Sequence, residues 1–126
     1  MDLKKKKVLY IDDNPEISEV VVELIKTIGF DCTHFSSPIK AMSYLNSSVD
    51  TDLVITEFLL PEMDGADFYK NLSRGTSPNF HFVIFTSVPI RASNKMQNEN
   101  ITIVDKMELE KLCDLVIKRL EVIEYF

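Results

Sequence analysis

Short strand-forming runs and amphipathic stretches alternate along the whole chain. Apolar residues at helical spacing follow the runs, most clearly between Ile17 and Ile28 and between Leu109 and Ile123. The alternation predicts an α/β fold, a doubly wound parallel sheet in the strand order 2-1-3-4-5. The five predicted strands span residues 8–11, 31–35, 53–56, 80–85 and 102–104.

Local signals mark where several helices begin and end. Asn14 and Ser37 each precede a proline, and an N-cap followed by proline is a strong start signal. Gly29 ends the first helix in this interpretation. Gly65 is expected to adopt a positive φ in the loop before the third helix. The segment 90–97 is mostly polar and only weakly indicates an amphipathic helix.

Composition and charge exclude several classes of protein. The 126 residues fit a single domain, 1–126, large enough to bury a core. The net charge of −6 argues against nucleic-acid binding, and the basic start is expected to be a solvated lead-in to the first strand. No run approaches the ~18 apolar residues of a membrane helix. Cys32 and Cys113 lack metal spacing and are interpreted as small buried residues in a reducing, cytoplasmic setting.

Charged or hydroxyl side chains follow four of the predicted strands. Asp12 and Asp13 follow the first strand, Glu57 the third, Thr86 the fourth and Lys106 the fifth. The predicted strand order brings the carboxyl ends of strands one and three together, where ligands bind in such sheets. The sequence therefore predicts an acidic site at this edge. A surface-turn role for Asp12, a strand-end role for Thr86 and a counter-ion role for Lys106 remain open. His34 and His81 are expected to be packed or edge residues.

Taken together, these motifs resemble a response-regulator receiver domain of the CheY-like kind. The resemblance covers essentially all of the chain and rests on Asp12-Asp13, the block 52–68 (DLVITEFLLPEMDGADF), Thr86 and Lys106. It implies a flavodoxin-like (βα)5 fold and a role in bacterial two-component, phosphorelay signalling. The implied partner is a histidine kinase or a downstream effector, with a possible homodimer through helix 4, strand 5 and helix 5.

The resemblance also implies a role for each site residue. Asp12, Asp13 and the acceptor carboxylate at Glu57 would hold Mg²⁺, together with the backbone carbonyl of Leu59. The acceptor would attack a phosphoryl group, and Thr86 and Lys106 would bind the phosphoryl oxygens.

Several departures from the family pattern fall on this phosphorylation site. The family has an aspartate where Glu57 stands, and the extra methylene moves the carboxylate by roughly 1.5 Å. A misplacement of about 1 Å can cost ~100-fold in rate. Ile103 replaces an aromatic switch residue, Met107 replaces a proline, and Ser87 replaces an alanine. The expectation is a pseudo-receiver that is not an enzyme, acts by protein–protein interaction and binds Mg²⁺ weakly or not at all.

Two alternatives belong to other functional classes. One is a working receiver that takes phosphate from a histidine kinase on Glu57 or a neighbouring acid, with Mg²⁺. The other is a dehalogenase-type phosphatase, which is disfavoured because Asp12-Asp13-Asn14 lacks the Asp-x-Asp pattern and the chain has no cap insertion. The contact face for a partner is expected to combine helix five, Ile103 and the terminal Tyr125 and Phe126.

Overall fold

Five parallel strands form one sheet in the order β2-β1-β3-β4-β5 in the computed structural model, which describes residues 5–47, 50–74 and 79–121. The predicted fold class and strand order are therefore confirmed. The strands are β1 Lys7–Ile11, β2 Asp31–Phe35, β3 Leu53–Thr56, β4 His81–Thr86 and β5 Thr102–Asp105. The helices are α1 Pro15–Thr27, α2 Pro38–Leu45, α3 Gly65–Leu72, α4 Pro89–Lys95 and α5 Leu109–Leu120.

The predicted helix starts are made by side-chain caps. The Asn14 side chain accepts hydrogen bonds from the amides of Glu16 and Ile17, and Ser37 caps α2 in the same way. Such caps satisfy backbone N–H groups that the first turn of a helix leaves without a partner. Gly29 follows α1 with a φ of 107°, which confirms it as the residue that ends the helix.

The sheet separates two apolar clusters because side chains alternate along each strand. One cluster packs against α1 and α5, and the other packs against α2, α3 and α4. The central strands are thus buried on both faces, which is why β1 and β3 are almost wholly apolar. Strand residues in the first cluster are Val8, Tyr10, Leu53, Ile55, Val83, Phe85 and Val104; those in the second are Leu9, Ile11, Val54, Phe82 and Ile84.

One expectation about local structure was wrong, and one weakly indicated helix is present. Residues Pro89–Lys95 do form a helix, but it has only seven residues and buries Ala92 alone, so its apolar face leaves almost no periodic pattern. Gly65 does not have a positive φ. It is needed for close packing instead, because a Cβ there would lie 3.1 Å from the Glu57 carbonyl oxygen. The positive φ in this loop, 73°, belongs to Glu62.

Other predicted features are only partly as expected. Ile103 is partly buried and packs against the second cluster, so it offers less surface to a partner than expected. Cys32 and Cys113 are free and partly buried rather than fully buried; burial raises the pKa of the Cys32 thiol to about 12. The predicted contact residues Tyr125 and Phe126, and the end of the last helix at Ile123, lie outside the described residues. Within the described ranges, no helix is long and apolar enough to cross a membrane.

Candidate functional site

The register of the sheet brings four of the predicted site residues to one edge: Asp12, Glu57, Thr86 and Lys106. Ile11 pairs with Thr56, and Thr56 pairs with Ile84, so the first and third strands end level with each other. The Glu57 amide donates to the Ile11 carbonyl at 2.9 Å, and the Lys106 amide donates to the Thr86 carbonyl at 2.9 Å. The backbone therefore fixes where each of these side chains starts.

Lys106 lies between two buried carboxylates. Its Nζ is 2.6 Å from Asp12 Oδ2 and 2.6 Å from Glu57 Oε2. Asp12 is 1% exposed and Glu57 is 4% exposed, so water screens these ion pairs little. Burial lowers the pKa of the Lys106 ammonium, but hydrogen bonds to Asp12 and Glu57 outweigh it and raise the pKa above its usual value. Lys106 is therefore charged at neutral pH.

The Glu57 carboxylate is bonded at both oxygens. Oε2 faces Lys106, and Oε1 accepts from the amides of Phe58 at 2.7 Å and Leu59 at 3.2 Å. The Thr86 hydroxyl donates to the same Oε1 and accepts a hydrogen bond from the Val88 amide at 3.1 Å. Since Val88 immediately precedes α4, a chain of hydrogen bonds connects Glu57 to the start of that helix.

Both carboxylate oxygens of Asp12, the other partner of Lys106, also accept hydrogen bonds. Oδ1 accepts from the Asn14 amide at 3.0 Å, and Oδ2 accepts from the Tyr10 hydroxyl at 2.8 Å. His34 Nε2 donates to the Asp12 carbonyl at 2.8 Å, so this histidine braces the site from β2. Burial, aided by Asp12, raises the pKa of Tyr10, and the phenol therefore stays protonated and donates.

Sequence reasoning missed Tyr10, because it counted only as one of four apolar-type residues in the first strand. A signal was present. Residues two apart on a strand lie on the same face, so a tyrosine two positions before a strand-end acid places its hydroxyl near that acid. In the described part of the chain, no buried side-chain nitrogen or oxygen lacks a hydrogen-bond partner.

The expected magnesium ligands are only partly brought together. Asp12 and Glu57 share Lys106, whereas Asp13 is exposed and Leu59 meets Glu57 through its amide rather than its carbonyl. Mg²⁺ needs free oxygen lone pairs in near-octahedral geometry at about 2.0–2.1 Å. Among the described residues, no three Asp, Glu, His or Cys side chains are placed to hold a metal. As arranged, the donors do not fit Mg²⁺, because Lys106 stands between the two carboxylates.

Comparison with known proteins adds independent evidence on the family. A family model of the response regulator receiver domain matches residues 8–116. Chemotaxis protein CheY-3 of Vibrio cholerae is 31% identical over 70 residues, which are 55% of this chain and 53% of that protein. Chemotaxis protein CheY1 of Helicobacter pylori is 27% identical over 67 residues, 52% of this chain and 54% of that protein. The matched segments thus span about half the length of these curated relatives.

A solved structure agrees on the fold. The response regulator protein TrrA from Thermotoga maritima, in complex with Mg²⁺ and beryllofluoride, superposes with a TM-score of 0.78 and 21% identity. The match covers 91% of this chain and 99% of that one. The strand order, the residues at the carboxyl edge and a family match over most of the sequence lead to one conclusion. This chain belongs to the response regulator receiver domain family, the signalling modules of two-component systems.

Proposed function

We propose that this receiver domain works by binding a partner protein without a phosphorylation cycle. The main evidence is that both carboxylate oxygens of Glu57, at the acceptor position, already have hydrogen-bond or ion-pair partners within the protein. Attack on a phosphoryl group needs an acceptor oxygen with a free lone pair aimed at phosphorus, in line with the leaving group. Three donors share Oε1, Oε2 faces the Lys106 ammonium at 2.6 Å, and Glu57 is only 4% exposed, so attack on phosphorus would require these contacts to break.

Glu57 also contacts the two side chains that bind the phosphoryl oxygens in the family pattern. In that pattern the threonine and the lysine bind the modified aspartate, whereas here the longer glutamate reaches Thr86 and Lys106 by itself. The carboxylate thus imitates part of the phosphorylated state. We infer that the domain is held in one signalling state, with a kinase or an effector as its protein partner.

The same contacts make this pocket a poor site for Mg²⁺. A divalent cation would have to displace the Lys106 ammonium from two buried carboxylates, each 2.6 Å away. We therefore propose that Mg²⁺ binding is weak, in the millimolar range, or absent. The domain accordingly acts as a signalling module rather than as an enzyme.

Beryllofluoride, which imitates a phosphoryl group, tests this proposal directly. Amide chemical shifts of the wild-type protein in ¹H–¹⁵N spectra are expected to stay unchanged on addition of Mg²⁺ and beryllofluoride. Glu57→Asp is the matched variant, because it shortens the side chain and keeps the charge, and its spectrum is expected to change around Thr86 and Lys106. Saturable shifts at these residues in the wild type would instead favour a working phosphoacceptor.

The partner surface that we propose lies on α4, β5 and α5. Ile90 on α4 is 77% exposed and Ile117 on α5 is 37% exposed, and both are large apolar side chains. The adjacent Lys118 adds a positive charge, while Arg119 donates to Thr102 Oγ1 at 2.8 Å and ties α5 to β5. We infer the contact surface from these two exposed side chains, the adjacent charge and the homodimer face that the family resemblance implies.

Charge substitution tests this surface without disturbing the core. Ile90→Glu combined with Lys118→Glu is expected to weaken partner binding or self-association at least tenfold, measured by sedimentation and pull-down with the natural partner. Val20→Glu on α1 is the matched control, because Val20 is 46% exposed and lies on another helix. If Val20→Glu weakens binding and the α4–α5 variant does not, the contact face is on α1.

A further inference from the structure

Tyr10 is an unusual component of this site, because its side chain comes from inside the core. The residue is 0% exposed and its ring belongs to the apolar cluster beneath α1 and α5. Its hydroxyl nevertheless donates to Asp12 Oδ2 at 2.8 Å, the oxygen that also lies 2.6 Å from Lys106 Nζ. A phenylalanine would fill nearly the same volume without bringing a polar group into the core.

The contacts of Asp12 fix its carboxylate at both ends. The Asn14 amide holds Oδ1 and the Tyr10 hydroxyl holds Oδ2, so the group cannot turn without losing a buried hydrogen bond. The Tyr10 ring cannot withdraw either, because it is packed in the core and lies 6.0 Å from the His34 ring between centroids. His34 in turn holds the Asp12 carbonyl.

We propose that Tyr10 is a positioning residue. It holds the Asp12 carboxylate in the orientation that contacts Lys106, so that this pocket binds the lysine ammonium in preference to a divalent cation. A hard cation needs the carboxylate lone pairs that hydrogen-bond donors use. With Tyr10 and Lys106 on Oδ2 and Asn14 on Oδ1, Asp12 can offer Mg²⁺ little unless several contacts break together. The inference rests on the proposed function and names one residue that favours Lys106 over a metal ion in this pocket.

Tyr10→Phe removes only the hydroxyl and tests this role. Mg²⁺ is titrated at constant ionic strength and followed by the amide shifts of residues 10–14 and 57–59. The variant is expected to bind Mg²⁺ about tenfold more tightly than the wild type, the size of effect that one hydrogen bond to a charged group allows. Tyr44→Phe is the matched control, because Tyr44 packs against Phe35 on the other side of the sheet, and it should leave Mg²⁺ binding unchanged.

The outcomes separate positioning from a purely structural role. If Tyr10 only supports the fold, Tyr10→Phe lowers the melting temperature and leaves Mg²⁺ affinity as it was. Equal affinity in the variant and the wild type, including no detectable binding in either, overturns the inference, and so does weaker binding in the variant. Phosphate uptake on wild-type Glu57 would refute the proposed function by a different measurement, so the two failures are distinguishable.

Discussion

Glu57→Asp is expected to be labelled by small phosphodonors, whereas the wild-type domain, under the proposed function, is not. The shorter side chain withdraws the carboxylate by roughly 1.5 Å, the length of one C–C bond. It thereby releases Thr86 and Lys106 to bind phosphoryl oxygens instead of Glu57 itself. Because a misplacement of about 1 Å costs ~100-fold in rate, we expect labelling to rise by at least that factor.

The measurement is intact-protein mass spectrometry after incubation with acetyl phosphate or phosphoramidate and Mg²⁺. Glu57→Gln is the control, because it keeps the length of glutamate and removes the negative charge, and it should remain unlabelled. A phosphate that maps to Glu57 in the wild-type protein would contradict the prediction. If Glu57→Asp also stays unlabelled, the obstacle extends to other departures at this edge, such as Met107, which is 90% exposed.

Lys106→Met is expected to cause the largest loss of stability of any single substitution at the site. It leaves Asp12 and Glu57, 1% and 4% exposed, without their counter-ion. Removing one partner of a buried ion pair typically costs about 3–5 kcal/mol. That is a large part of the roughly 5–15 kcal/mol that stabilises an ordinary domain. Urea unfolding followed by circular dichroism measures the difference.

Two further variants show whether the uncompensated charge is the cause. Lys106→Arg keeps a cation and should be much less destabilised than Lys106→Met. Adding Glu57→Gln to Lys106→Met removes one of the two buried charges that have lost their counter-ion and should recover part of the lost stability. If the double variant is no more stable than Lys106→Met, the loss comes from packing of the lysine side chain and not from its charge.

The pH dependence of the wild type follows from the same lysine. Its pKa is raised in the folded protein above the value of 10.5 that it has in an unfolded chain. Its contribution is therefore fully present below pH 10.5 and is lost as the pH rises through the folded pKa. Lys106→Met has no ammonium at this position. The difference in unfolding free energy between the wild type and Lys106→Met should therefore become smaller as the pH rises above 10.5.

The sequence was sufficient for the fold because each strand and most helix ends carry strong local signals. Asn14-Pro15, Ser37-Pro38 and Gly29 define helix ends by backbone chemistry that needs no tertiary context. The gathering of Asp12, Glu57, Thr86 and Lys106 could likewise be predicted, since each lies at or just after the end of a strand and the carboxyl ends of these strands meet at one edge.

The features that sequence reasoning missed or indicated only weakly depend on tertiary packing. Helix α4 was only weakly indicated, because it has seven residues and buries Ala92 alone. Gly65 is required because the Glu57 carbonyl approaches the first residue of α3, a contact that no turn rule contains. Ile103 was expected on the surface, but α4 and its neighbours partly cover it. The sequence also does not predict which carboxylate oxygen of Asp12 or Glu57 each hydrogen-bond donor contacts, because that depends on side-chain geometry.

The ion cluster has a consequence for the order of events in folding. It joins Asp12, near the start of the chain, to Lys106, near its end, with Glu57 and Thr86 between them. Contacts of such long sequence separation form only after the cost of closing the loop has been met, and hence after the central strands have paired. Interactions that are absent from the transition state slow unfolding more than they speed folding. We therefore expect these ion pairs to form late in folding and to lengthen the lifetime of the folded domain against proteolysis that depends on global unfolding.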